Sequence, residues 1–178
     1  MSGITSIFHS TLDALSFEGI DYKYMGPTTN LSYLLQHLSE VLSKQYDQVL
    51  QEQLGIGLSQ YKLLLVLEWN PRVQQQTIAA SLGQTEASIS RQIKLLKVKG
   101  LLSTKIDPSN RRKHITAPTT LGMQVTEAAT AIMRRSFGPE FAKLGEDQLL
   151  QLIATLQRLH MIVCRPGKVG ACDHQLGF

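Results

Sequence analysis

The chain has 178 residues, of which 43% are hydrophobic, so it can bury the core of one ordinary domain and is not a disordered protein. No apolar run is long enough to cross a bilayer, and the start of the chain lacks a basic secretion leader. Two cysteines are too few for a disulfide framework. We therefore expect a soluble, cytoplasmic protein with no membrane partner.

The net charge of +4 is concentrated in one segment. Residues 84–113 contain eight basic and two acidic residues, so this segment carries +6 and the rest of the chain carries −2. Such a local basic patch is typical of a surface that binds phosphate. A solvated helix face would give the same pattern, so charge alone does not decide between the two.

The first third of the chain predicts a short helix followed by a long one. Asn30 is the predicted N-cap of the long helix, whose apolar stripe runs from Leu31 to Leu54 before Gly55 ends it. So long a stripe needs more covering surface than a small chain offers, which indicates a second subunit. The short helix belongs to an extension of residues 1–30, and we expect its apolar face to pack on the dimerisation helices. That face is formed by Ile4, Ile7, Phe8, Leu12 and Leu15.

A helix-turn-helix pattern occupies the centre of the chain. Ser59 is the predicted cap of a first helix, which Asn70-Pro71 closes. Two further helices are joined by a short turn that contains Gly83, with Thr85 as the N-cap of the second and Gly100 at its C-terminal end. The three predicted helices cover residues 60–69, 75–82 and 86–99, and the last is the predicted recognition helix.

A basic hairpin and two more helices complete the predicted order. Residues 101–107 and 114–117 read as strands joined by turn-forming residues 108–110, and a hairpin directly after a helix-turn-helix is a wing. Thr119 or Thr120 starts the next helix, which Gly138-Pro139 is expected to kink or interrupt. Acidic residues at 146–147 suit the start of a last helix. Its predicted buried stripe contains Leu149, Leu152, Ile153, Leu156, Leu159 and Val163.

In this order the elements resemble the MarR family of winged helix-turn-helix transcription regulators, over about residues 31–163. The most specific likeness lies in residues 107–112, which Thr119 and Gly122 follow. The rest of the resemblance lies in the helices around this segment. It is carried by residues 58–61, 78–83, 88–91, 99–101 and 146–159, together with Leu96, Phe141 and Leu144.

The resemblance implies a mainly α fold with a small β-wing, in which long N- and C-terminal dimerisation helices flank a winged helix-turn-helix. It also implies a homodimer that represses transcription from a near-palindromic DNA operator. The expected organisation is an extension (1–30), dimerisation helices (31–56 and 119–164), a DNA-binding lobe (57–118) and a flexible tail (165–178).

One face of the predicted recognition helix is apolar, so the opposite face is available for DNA. The major groove accepts such a helix, and Arg and small hydroxyl side chains read its base edges. Arg91 is the first candidate for a base or phosphate contact, with a surface ion pair as the alternative. The expected DNA-binding residues of this region are Thr85, Ala87, Ser88, Ser90, Arg91 and Lys94.

The predicted wing carries three consecutive basic residues, Arg111, Arg112 and Lys113. Arg112 corresponds to the wing arginine of the MarR family, which implies insertion into the minor groove, where the negative potential is strongest. We expect Arg111 and Lys113 to contact phosphate, which positions the protein without reading sequence. The alternative is a simple solvated turn.

The resemblance also implies a small aromatic or anionic effector bound near Tyr33, His37, Tyr61 and Trp69. Core packing explains each of these residues equally well. Cys164, Cys172 and His174 match no compact zinc motif, so neither a metal site nor a cofactor is expected, and a redox role for the cysteines stays open.

The sequence contains no Gly-rich phosphate loop, nucleophile elbow or paired acidic motif, so an enzyme is not expected. An alternative function is a winged-helix module that binds protein instead of DNA. It is favoured by Asn110, where the family usually has Asp, and by Leu95 and Val98 on the outward side of the recognition helix.

Overall fold

The computed structural model describes residues 26–107 and 110–164, with the backbone alone for residues 107 and 110–114. This part of the chain is mainly helical with one two-stranded antiparallel sheet, which confirms the predicted fold class. The predicted extension up to residue 25 and the tail from residue 165 lie outside the described residues. The elements are α1 (Pro27–Leu54), α2 (Leu58–Trp69), α3 (Gln75–Ser81), α4 (Glu86–Val98), β1 (Leu102–Asp107), β2 (Asn110–Pro118), α5 (Thr120–Ala142) and α6 (Glu146–Val163).

Helix α1 begins before the residue predicted to cap it. Proline suits a first helical turn because its missing N–H would have no partner there. The carbonyl oxygen of Gly26 accepts hydrogen bonds from the backbone N–H groups of Thr29 and Asn30, at 3.0 and 3.1 Å. Asn30 therefore lies inside α1, and its prediction as the N-cap is wrong. The chain divides into two compact units after Ser43, within α1.

The second unit, from Lys44 onward, contains the hydrophobic core. Helix α2 is central to it because six of its twelve residues are buried, as expected for a helix that is apolar on most sides. Helices α3 and α4 and the base of the wing supply further core residues. The largest fully buried side chains are Leu50, Ile56, Leu63, Leu64, Leu67, Ile78, Ile89 and Leu96.

The start of α2 is held by a residue from α1. Asp47 Oδ1 accepts a hydrogen bond from the backbone N–H of Leu58 at 2.7 Å, and Gln60 Oε1 accepts one from the N–H of Gly57 at 3.3 Å. Gly57 is the N-cap, so the prediction that Ser59 caps this helix is wrong. A Cβ added at Gly57 would lie 2.8 Å from Asp47 Oδ1, so a larger residue here would force the capping carboxylate to shift.

The two strands form the predicted wing, but β2 begins at Asn110, four residues earlier than expected. The pairing runs from Leu102 opposite Pro118 to Asp107 opposite Asn110, with an irregularity between Ile106 and Asp107. The longer strand leaves residues 108–109 as the connection. Pro118 lies at the end of the ladder, where its missing N–H costs least.

A close-packed joint connects the wing to α5. Thr119 caps α5, as predicted, because its Oγ1 accepts a hydrogen bond from the N–H of Gly122 at 3.0 Å. The same hydroxyl donates to the carbonyl oxygen of Gly100 at 2.7 Å. A Cβ added at Gly122 would clash with the carbonyl oxygen of Leu101. The segment that follows the C-terminal end of α4 therefore contacts the start of α5, with no space for a side chain at Gly122.

Helix α5 continues through Gly138-Pro139 to Ala142, so the expectation of an interruption there is wrong. Pro139 removes one hydrogen bond to the carbonyl group of Arg135, and both residues are exposed, so water can replace it. Helix α6 begins at Glu146, as the acidic residues predicted, but none of its residues is buried within the described chain. Among the described helices, none combines the length and apolar character needed to cross a membrane.

Candidate nucleic-acid interface

Helix α4 has one buried face and one exposed face. Ile89, Ile93 and Leu96 are buried against the rest of the core. Arg91 and Lys94 are exposed on the other side. Within the described part of the chain, no acidic side chain forms an ion pair with Arg91. Its guanidinium group is therefore available to an anionic or hydrogen-bond-accepting ligand.

The start of α4 confirms the predicted turn chemistry. Gly83 has a φ of 63°, which allows the tight turn between α3 and α4. Thr85 is the N-cap, and its hydroxyl accepts a hydrogen bond from the N–H of Ser88 at 3.1 Å. Ala87 is exposed at the N-terminal end of α4, where backbone N–H groups favour an anion such as phosphate.

Four polar side chains bridge this turn to α2. Gln92 Nε2 donates to Ser59 Oγ at 2.9 Å and to Gln84 Oε1 at 2.8 Å, and Gln84 Nε2 also donates to Ser59 Oγ. Ser88 Oγ donates to Gln84 Oε1 at 3.2 Å. We call Ser59, Gln84, Ser88 and Gln92 the polar bridge. The two glutamines were not predicted as part of the site, because the partner they share, Ser59, comes from a different helix.

The C-terminal end of α4 is held as firmly as its start. Gly100 has a φ of 71°, and the N–H of Leu101 donates to the carbonyl oxygen of Leu96 at 2.9 Å, which closes the helix in a glycine-terminated turn. Lys99 Nζ donates to the carbonyl oxygen of Gly55 at 2.5 Å. Both ends of α4 are thus fixed, so its exposed face has a defined direction.

The remaining predicted DNA-binding residues fall into two groups. Ser90 is half-buried on α4. Arg111, Arg112 and Lys113 lie on β2, directly after the connection between the strands, and only their backbone is described. The backbone therefore brings the three basic residues to the tip of the wing, as the sequence predicted, and their contacts with DNA stay a prediction.

A cavity of about 340 Å³ lies within the second unit, between α2, α5 and the end of α1. Tyr46 and Phe137 both line it and contact each other edge to face, with ring centroids 4.4 Å apart. Burial raises the pKa of the Tyr46 phenol, because desolvation disfavours the phenolate. The hydroxyl groups of Tyr61 and Thr130 are 2.9 Å apart and form a hydrogen bond. The other lining residues are Met133, Arg134, Gly138 and Phe141.

Of the four residues predicted to surround an effector, Tyr61 lines this cavity. Trp69 is 63% exposed at the end of α2 and is not part of the lining. Tyr33 and His37 stack on each other in the first unit, with ring centroids 5.9 Å apart. Phe137 was not predicted to line a pocket, although it belongs to the apolar stripe of its helix.

Among the described residues, no three His, Cys, Asp or Glu side chains are placed to hold a metal ion. Cys164 is half-buried at the C-terminal end of α6. Cys172 and His174 lie outside the described residues, so a role for this trio stays untested.

Comparisons with known proteins agree with this geometry. A model of the MarR family matches residues 54–113, the segment that contains α2, α3, α4 and most of the wing. A transcriptional regulatory protein for the hcr operon of Thauera aromatica is 25% identical over 117 residues, which cover 66% of this chain and 70% of that protein.

Solved structures show the same fold. CouR from Rhodococcus jostii RHA1, bound to p-coumaroyl-CoA, is 23% identical with a TM-score of 0.62, and the match covers 76% of this chain and 94% of CouR. MepR from Staphylococcus aureus, in complex with DNA, is 27% identical with a TM-score of 0.60, and the match covers 72% of this chain and 94% of MepR. The fold and the resemblance to the MarR family of transcription regulators are thereby confirmed.

Proposed function

From the MarR-type winged helix we propose that the chain is a homodimeric, sequence-specific DNA-binding transcription repressor whose affinity for its operator is lowered by a small-molecule effector. The observation that carries the proposal is the position of α4 within the lobe. Its apolar face is buried, both of its ends are fixed, and Arg91 and Lys94 are exposed on the remaining face. A rigid basic helix of this kind fits the major groove.

DNA binding is further supported by charge and by comparison. The segment from residue 84 to residue 113 carries +6 and contains both α4 and the tip of the wing. MepR, which has the same fold at 27% identity, was solved in complex with DNA. In the proposed complex, α4 reads base edges through Arg91, Ser88 and Ser90, while Arg112 enters the minor groove and Lys113 contacts phosphate.

Dimerisation is supported by apolar side chains that are exposed in the described part of the chain. On α6, Leu152 is 45% and Leu156 is 38% exposed, and Leu159 is half-buried. On α1, Leu31 is 45% and Leu38 is 52% exposed. Stable homodimers bury large apolar surfaces, typically above ~2,000 Å². In the proposed assembly residues 31–56 and 119–164 form the dimer interface and residues 57–118 form the DNA-binding lobe.

The proposed effector is an aromatic compound that occupies the 340 Å³ cavity around Tyr46 and Tyr61. Its walls are mainly apolar, the two phenols supply polar atoms, and Arg134 offers a positive charge. The CouR structure contains an aromatic acyl thioester, p-coumaroyl-CoA. A bound compound changes DNA affinity only if it favours one arrangement of the protein over another.

The experiment that tests DNA binding is fluorescence anisotropy on random duplex DNA at several salt concentrations. Binding to phosphate must weaken steeply as salt rises, because the protein displaces counterions from DNA. Arg91→Ala should weaken binding to the selected operator by about 1–3 kcal/mol in binding free energy and relax the base preference at one position. Lys143→Ala is the matched control. Lys143 lies at the end of α5, away from α4, and forms an ion pair with Glu140 of the same helix. Equal affinity of the wild type and Arg91→Ala would contradict the proposal.

The effector site is tested by filling it. No atom lies within 4 Å of a Cβ added at Gly138, so Gly138→Leu places a side chain at the cavity without a clash at its first atom. This variant should still bind the operator but should no longer release it when aromatic carboxylates are added. Retained release by the same compounds would remove the cavity from the proposal.

A second candidate function is a protein-interaction module. Val98 and Leu95, on the outward side of α4, are 87% and 53% exposed. An apolar protein interface would keep its affinity as salt increases, whereas DNA binding would not. The salt series therefore separates the two functions.

A further inference from the structure

Ser88 belongs both to the polar bridge and to the face of α4 that carries Arg91. Its side chain is half-buried, and its neighbour in sequence, Ala87, is exposed. The hydroxyl group therefore lies at the boundary between the interior of the lobe and the surface proposed to meet DNA. Its hydrogen bonds inside the lobe decide what it can offer outside.

A serine hydroxyl has one proton to donate and two lone pairs that accept. Ser88 Oγ donates that proton to Gln84 Oε1 at 3.2 Å. Gln92 Nε2 lies 3.4 Å from the hydroxyl, but its two protons go to Ser59 Oγ and Gln84 Oε1, at 2.9 and 2.8 Å. The only proton of the hydroxyl is thus used inside the lobe, and a lone pair is left for the exterior.

The other members of the polar bridge hold the acceptor of this proton in place. Gln84 Oε1 also accepts from Gln92 Nε2 at 2.8 Å, and Ser59 Oγ accepts from both glutamines. Exchanging oxygen and nitrogen in both amides would place two amide oxygens against Ser59 Oγ, which has a single proton to donate. The orientation with Gln84 Oε1 toward Ser88 therefore satisfies more of the polar bridge.

Resting on the proposed function, we infer that Ser88 acts toward DNA only as a hydrogen-bond acceptor and selects an exocyclic amino group in the major groove. Two bases present such a donor there, cytosine through N4 and adenine through N6. Guanine and thymine present only acceptors and a methyl group at that edge, and phosphate presents only acceptors. The polar bridge thereby makes Ser88 a specificity-determining residue, opposite in sense to Arg91, which can only donate.

The first test is selection of an operator from random duplexes by the full-length wild type and by Ser88→Ala. We expect Ser88→Ala to lose preference at one position in each half-site, where the wild type selects cytosine or adenine, with a loss of about tenfold against the other bases. Ser81→Ala is the matched control, because Ser81 lies on α3, where its hydroxyl donates to the carbonyl oxygen of Thr77 at 2.9 Å, and it is not among the proposed DNA-binding residues. It should leave that position unchanged.

The second test removes only the amino group from the DNA. Purine in place of the selected adenine, or 2-pyrimidinone in place of the selected cytosine, should weaken wild-type binding by about tenfold. The same substitution should not weaken Ser88→Ala further. The analogue that has an effect identifies which of the two bases is read.

The third test releases the proton. Gln84→Leu removes its acceptor, so Ser88 could then donate to guanine O6 or thymine O4, and the selected position should begin to tolerate these bases. A merely structural role of Gln84 would weaken all sequences alike. That outcome, or an unchanged selection profile for Ser88→Ala, overturns the inference. Wild-type protein without salt-dependent DNA binding would instead overturn the proposed function itself.

Discussion

Helices α4 and α6 are both amphipathic, yet they stand in opposite relation to the chain that contains them. Helix α4 has 13 residues, and the apolar residues of its inward face, Ile89, Ile93 and Leu96, are buried, while Leu95 and Val98 are exposed on its outward side. Helix α6 has 18 residues and none is buried. Its stripe residues Leu152 and Ile153 are 45% and 44% exposed. The inward apolar face of α4 is buried within one chain, whereas the apolar face of α6 is not covered by the described residues.

The polar contacts of the two helices differ in the same way. Helix α4 begins at the Thr85 side-chain cap, is tied to α2 by the polar bridge, and ends with Lys99 on a backbone carbonyl of another segment. Helix α6 begins at Glu146, after Gly145, an N-cap that has no side chain, and relies on the charges of Glu146 and Asp147 in its first turn. Polar contacts therefore fix the orientation of α4 in the lobe, whereas α6 offers an apolar surface for a contact.

The largest expected effect comes from placing a charge on the uncovered stripe. Leu152→Asp should weaken self-association at least ~100-fold, which corresponds to about 2.8 kcal/mol, because two aspartates would be buried in a symmetric apolar interface. Light scattering across a concentration series measures this directly. Gln151→Asp introduces the same charge on the exposed side of α6 and should leave the assembly intact.

The oligomeric state tests whether the apolar stripe of α6 needs a partner. A wild-type chain that is monomeric at micromolar concentration would show that α6 tolerates its exposed stripe in water. Equal association of Leu152→Asp and wild type would show that the interface lies elsewhere.

A smaller effect is expected at the joint between α4 and α5. Gly122→Ala adds a methyl group that clashes with the carbonyl oxygen of Leu101, so the backbone must move, at a cost of about 1–3 kcal/mol in the free energy of unfolding. Gly138→Ala, in the same helix, meets no atom within 4 Å and should stabilise the protein by ~0.5–1 kcal/mol through helix propensity. Urea denaturation with both variants measures the difference. Identical midpoints would mean that the joint yields without cost.

The sequence predicted those parts of α4 that depend on neighbouring residues. Thr85 as cap, Gly83 in the turn and Gly100 after the helix are local signals, since each acts on backbone groups within a few residues. The periodicity of Ile89 and Ile93 likewise identified the buried face. These features need no knowledge of the rest of the fold.

The errors have non-local or cooperative causes. Ser59 resembles an N-cap in sequence, but Asp47 reaches the first turn of α2 from eleven residues away and moves the start of the helix to Leu58. Pro139 did not end α5, because the exposed carbonyl group it leaves without a partner can be hydrated. The polar bridge and the cavity could not be predicted, because they depend on contacts between helices distant in sequence. Ser59 meets Gln92, and Tyr61 meets Thr130, only when α2 packs on α4 and α5.

The smallest expected effect concerns the cap of α4, and it separates the polar from the apolar contribution to that helix. Thr85→Ala removes the acceptor for the N–H of Ser88 and should cost about 1 kcal/mol in the free energy of unfolding. Thr85→Ser keeps the hydroxyl and should restore most of that loss. Both variants are measured by urea denaturation and by operator affinity at fixed salt. Because the polar bridge and Lys99 still hold the helix, Thr85→Ala should weaken operator binding less than Arg91→Ala does. A larger loss of affinity than Arg91→Ala causes would show that the cap, rather than the buried face, sets the direction of α4.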